Sequence, residues 1–135
     1  MDMNAFKVFI SSIMNTTIED LGAERMAART VIERFAPITV AWAFEAEPAS
    51  TKPLLEFYLG AAKECDLFLL ILGEHATKPV RDEVQVACDY SKPMLVFCKD
   101  VAARQPEALG LLRSFDLKYD RSQARWTFTK RSVRR

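Results

Sequence analysis

Histidine is almost missing from this sequence. His75 is the only one, and no Ser/His/Asp or Cys/His spacing points to a nucleophilic triad or dyad. Cysteine is scarce as well. Cys65, Cys88 and Cys98 form no CxxC and no Cys/His pattern, so no zinc motif is present. Their number is odd and each lies in an apolar run, the usage of reduced core thiols in a cytoplasmic protein. The four glycines build neither a Walker A loop nor GxGxxG, so neither phosphate cradle is expected. Long apolar runs are also lacking. The longest, LFLLIL from Leu67 to Leu72, is far too short to span a bilayer, and the opening MDMNAFK lacks the apolar stretch of a secretory signal. The expectations are no metal, no membrane and a cytoplasmic location.

Net charge is equally small, +1 over 135 residues, so a strong nucleic-acid signal is missing. The charge is uneven, however. Residues 113–135 hold eight Lys/Arg against two Asp/Glu, whereas residues 1–112 hold eleven against sixteen. Such a basic segment is a solvated end, a linker, or a contact for nucleic acid or anionic lipid. What the sequence does have is apolar content. Half the residues are hydrophobic and 27% are charged, enough for one compact domain with a buried core.

Strand-like and helix-like patterns alternate along the chain. KVFI (residues 7–10) is a short β-branched and aromatic run. Thr16-x-x-Glu19 fits a capping box, predicting a helix from there to about Phe35 with Leu21, Ala28, Ile32 and Phe35 on its apolar face. Pro37 ends it. ITVAWAF (38–44) reads as a second strand, and a helix from about Pro53 to Glu64 follows. DLFLLILG (66–73) is apolar on both faces, as a central parallel strand should be. Val80, Val84, Ala87 and Cys88 share one side of a helix over roughly residues 80–90. PMLVFCK (93–99) is a fourth strand, residues 104–115 a fourth helix, and RWTFTK (125–130) an edge strand. This βα alternation implies an α/β fold with a parallel sheet covered on both faces. The helix that should cover the last strand is absent, so an N-terminal domain of a longer protein is expected, one domain over 1–135 with a basic segment at 116–135.

Open α/β sheets bind ligands outside the carboxyl ends of their strands. Ser11, Ser12 and Asn15 follow the first strand. Trp42 and Glu45 come from the end of the second, and Gly73, Glu74 and His75 follow the third. Glu83 lies in the first turn of the next helix, at the border of that helix's apolar stripe, where it overlooks the same edge. Each residue also has a plainer reading. Glu83 in a first turn is favoured by the helix dipole. Ser11 and Ser12 can cap or turn the chain, Trp42 can be core, and His75 can be solvated. Arg25 falls on the apolar face of the first helix beside Glu24. There a buried guanidinium needs a partner, and it reads as a structural ion pair, as a snorkelling stem, or as a support beneath the crevice.

Taken in order, KVFISSIMN, EDLGAERMAAR, WAFEAEPAS, CDLFLLILGEH and RDEVQVACDYSKPMLVF resemble a bacterial domain family of unknown function in the Toll/interleukin-1 receptor (TIR)-like superfamily. The resemblance covers about residues 6–100. It implies a flavodoxin-like three-layer sandwich whose five-stranded sheet has the order 2-1-3-4-5. It also links the chain to multidomain defence and signalling proteins. Related TIR domains and nucleoside deoxyribosyltransferases cleave N-glycosidic bonds with a glutamate early in a core helix, which corresponds here to Glu83. FISS corresponds to the loop approaching the nucleotide, and GEH to the turn after the third strand. TKPVRD, just before Glu83, lacks the aromatic that many TIR enzymes carry there, and GEHATKP lacks the family's glycine-tyrosine pair.

Three readings follow. The first is a domain that binds and cleaves NAD or a related nucleotide when assembled as a homo-oligomer, with NAD as substrate and no cofactor. The second is a non-catalytic module for self-association or recruitment, including contacts to downstream domains. The third is an enzyme similar to nucleoside deoxyribosyltransferases.

Overall fold

The computed structural model describes residues 5–13, 18–42, 52–118 and 125–128, with the backbone alone for 52–55, 114–118 and 125–128. Strands β1 (Phe6–Ser11), β2 (Thr39–Trp42), β3 (Leu67–Leu72) and β4 (Met94–Lys99) alternate with helices α1 (Gly22–Glu33), α2 (Lys52–Glu64), α3 (Lys78–Asp89) and α4 (Pro106–Lys118). The strands form a parallel sheet in the order β2-β1-β3-β4. A backbone segment, β5 (Arg125–Phe128), runs parallel along β4 from Val96↔Arg125 to Lys99↔Phe128.

Strand alternation sorts the core into two layers. Phe9, Phe68, Leu70, Leu72, Met94, Val96 and Cys98 face one side of the sheet. They pack there with Ala61 and Ala62 of α2, Val80, Val84 and Ala87 of α3, and Ala108 of α4. Val8, Ile10, Leu69 and Ile71 face the other side and meet Leu21, Ala28 and Ile32 at α1. LFLLIL is therefore buried on both faces because both are covered. Phe9 and Phe68 stack with ring centroids 5.4 Å apart. Each such side chain contributes about 1.5–3 kcal/mol, so the strand ends that carry the candidate site stand on a rigid base.

Three sequence expectations need correction. The capping box fails, because α1 starts at Gly22, behind Leu21, which makes no side-chain cap. Glu19 is non-helical, and its carboxylate is used elsewhere, as shown below. The far end of α1 is also shorter than expected. Phe35 lies in the turn before Pro37 and is 59% exposed, so it adds nothing to the core. Finally, α3 begins at Lys78, with Pro79 in its first turn. Glu83 is thus in the second turn. The macrodipole effect falls off within the first, so dipole compensation does not account for the carboxylate.

Candidate functional site

β1 ends in Ile10 and Ser11, Ser12 follows directly, and the two hydroxyls turn to opposite faces of the sheet. Ser11 shares the face of Phe9, which α3 covers. Its Oγ donates a 2.6 Å hydrogen bond to Oε1 of Glu83. Ser12 shares the face of Ile10, which α1 covers. There Nη1 of Arg25 donates to Ser12 Oγ at 3.2 Å and to the Ile10 carbonyl at 3.0 Å. Ser11, Ser12 and Arg25 are all buried. The strand end is therefore gripped from both faces, by a carboxylate on one and a guanidinium on the other. Arg25 thus finds these partners in the end of the strand. Its neighbour Glu24 pairs instead with Lys99 at the end of β4, 2.7 Å away.

Glu83 is crowded by protein yet still reached by solvent. Burial pushes its carboxyl up to about 7, and nearby Asp82 adds to the rise. The Ser11 hydrogen bond and the positive charge of Arg25 oppose both. A carboxyl poised there exchanges protons at neutral pH, and in its ionised form it presents a fixed negative charge. Asp82 itself turns outward, where Lys78 binds it at 2.8 Å.

The segments that follow the strands are tied down as well. The Leu21 N–H donates to the Ile13 carbonyl at 3.3 Å, and the Gln105 N–H donates to the Glu74 carbonyl at 2.9 Å. Arg104 holds the Lys99 carbonyl through both of its terminal nitrogens, at 3.1 and 2.8 Å. Glu19 bridges from the β1–α1 segment to the turn after β3, accepting from the Glu74 N–H at 2.7 Å and the His75 N–H at 2.9 Å.

Of the residues expected at the site, Ser11, Ser12 and Glu83 come together around the end of β1, and Gly73 lies against Glu19. His75 turns toward α4, with Nδ1 3.6 Å from Glu107 and Nε2 3.9 Å from Glu74. Trp42 is half-buried against the α2/α3-side core, with Lys7 Nζ 5.9 Å from its ring centroid. Asn15 and Glu45 lie outside the described residues. Sequence reasoning missed Glu19 and Glu107. Their partners are distant in sequence, and local pattern carries no trace of them. Among the described residues no group of three His, Cys, Asp or Glu is placed to hold a metal ion, and no helix is long and apolar enough to cross a membrane.

No curated protein matches the chain. The family model described as domain of unknown function (DUF4062) matches residues 7–131, and the chain belongs to that family.

Proposed function

We propose that this DUF4062 domain binds a nucleotide and cleaves its N-glycosidic bond, with NAD as the substrate class and Glu83 as the catalytic carboxylate. The observation that carries the reading is the 2.6 Å Ser11–Glu83 pair at the carboxyl edge of a parallel sheet. The TIR-like resemblance of the ordered motifs supplies the substrate class. It also underlies our assignment of a flavodoxin-like, five-stranded sheet that includes β5.

In such a reaction the bond between C1′ and the nicotinamide nitrogen breaks. Its electron pair neutralises the cationic ring, and positive charge develops on the ribose as an oxocarbenium-like centre. Ionised Glu83 stabilises that charge or traps it, before water completes the hydrolysis and releases a proton. No general acid is needed for a leaving group that departs neutral. Arg25 and Ser11 favour the ionised form, so the rate should rise with pH through about 7.

The test is nicotinamide release from NAD by the concentrated or oligomeriser-fused chain, wild type against Glu83→Gln. Turnover that the substitution leaves equal removes Glu83 from the mechanism, and absence of turnover in every assembled form removes the activity.

The second reading is a non-catalytic self-association module acting as a homo-oligomer. It is favoured by TKPVRD, which places no aromatic before Glu83. It is also favoured by Phe6, Phe35 and Ile38, exposed and joined through their backbones at the opposite end of the sheet. Concentration-dependent assembly without turnover supports it, and a strictly monomeric domain counts against it.

A further inference from the structure

Glu19 sits between β1 and α1, yet its carboxylate is committed to the turn after β3. One oxygen accepts from the Glu74 N–H and the other from the His75 N–H, at 2.7 and 2.9 Å. Two consecutive backbone N–H groups converging on one anion form a concave anion-binding nest. This nest lies at the carboxyl end of a central strand, the edge where open α/β sheets receive ligands. Gly73 makes the room for it, because a Cβ at that position would collide with the Glu19 carboxylate. The turn is also held from behind, where the Glu74 carbonyl accepts from the Gln105 N–H. The donors are therefore fixed in place, whereas the anion they hold arrives on a side chain from a different segment.

We propose that the Glu74–His75 nest is a binding site for a phosphate group, and that Glu19 fills it as an internal stand-in that phosphate displaces. The two carboxylate oxygens take the places of two phosphate oxygens. Phosphate brings more negative charge and a third acceptor to the same donors. Glu19 has the advantage of being tethered, which gives it a high effective concentration. The intact chain thus resists phosphate until its concentration is high, and removal of the Glu19 carboxylate lowers that threshold. The site requires no bond cleavage at Glu83, so phosphate binding and glycosidic turnover succeed or fail separately.

The experiment is an amide NMR titration of the full chain, as wild type, Glu19→Gln and Glu19→Ala, with inorganic phosphate, adenosine monophosphate and adenosine. Saturable shifts at the Glu74 and His75 amides are expected with both phosphate-bearing probes, at least ten-fold tighter in Glu19→Ala than in wild type. Glu19→Gln, which keeps the side-chain length, should fall between them and serves alone if the alanine variant does not fold. Tighter binding of adenosine monophosphate than of inorganic phosphate assigns the site to a nucleotide phosphate, and equal binding assigns it to free phosphate. Adding Gly73→Ala to either Glu19 variant should abolish the response, because the new Cβ fills the space. Folded variants that bind phosphate no better than wild type, or adenosine shifting the same two amides equally well, overturn the proposal.

Discussion

Replacing Glu83 by glutamine should stabilise the domain, and by more at alkaline than at acid pH. Burial lifts the Glu83 carboxyl from 4.5 to about 7 in the folded chain. Below 4.5 the group is protonated whether the chain is folded or not, and it costs nothing. Between 4.5 and about 7 the unfolded chain ionises while the folded chain keeps its proton, so stability is lost as pH rises. Above about 7 the loss is complete, at about 3 kcal/mol for a shift of this size. Glutamine does not titrate, and its side-chain oxygen still accepts from the Ser11 hydroxyl. The variant should therefore exceed wild type by about 1 kcal/mol near pH 5 and about 3 kcal/mol near pH 8. Urea unfolding of both proteins at both pH values, with equal m-values, measures the difference directly. A gap that stays below about 0.5 kcal/mol at both pH values, or one that shrinks as pH rises, would refute the reasoning.

For packing alone a carboxylate is a poor choice at this position. Alanine or leucine at position 83 would extend the apolar stripe of Val80, Val84 and Ala87 without a desolvation penalty. The protein instead directs a hydroxyl and a guanidinium at this end of the sheet to ease the ionised form. A charge that the fold tolerates but does not need is a common mark of a functional group.

Three further outcomes follow from the same geometry. Ser11→Ala removes a hydrogen bond that favours the ionised form, so Glu83 should titrate above about 7. Carboxyl carbon NMR would show this, and an unmoved midpoint would mean that the bond is absent in solution. Arg25→Met deletes the bonds to Ser12 and the Ile10 carbonyl, so unfolding free energy should fall by about 1.5–3 kcal/mol, with a second upward shift of Glu83. Lysine should restore little, since it lacks the planar fork of donors. Burial pushes the Cys65 thiol up to about 11, so it should resist alkylation in the folded protein and react once urea opens the core. Mass mapping after a brief iodoacetamide pulse would expose any error there.

Periodicity made the layers legible. Alternation along LFLLIL and MLVFCK assigns their side chains to two faces, and helical spacing places Val80, Val84 and Ala87 on one stripe. Those signals are local, and each is repeated over several residues. The ends of helices were less legible because they hang on single side chains with competing uses. Thr16-x-x-Glu19 has the form of a capping box, but Glu19 finds two backbone donors 55 and 56 residues away. A bidentate bond to two N–H groups satisfies a carboxylate better than a reciprocal cap supplies one.

The same limit applied to Glu83. Its place at the rim of a stripe was visible, but the reason was not, since its partner Ser11 lies 72 residues back in the chain. Assigned to a first turn, the residue had a sufficient explanation in the helix dipole. That explanation fails once α3 begins at Lys78 and Glu83 falls in the second turn. What remains is a carboxylate whose nearest specific contact is the hydroxyl that ends β1. The double serine of FISS then has a physical meaning: a strand end that offers one hydroxyl to the helix on each face needs two of them in succession, Ser11 as its last residue and Ser12 just beyond it. Ser11 meets Glu83 and Ser12 meets Arg25, so Ser11→Ala should act on Glu83 directly, and Ser12→Ala should act on it only through the charge of Arg25.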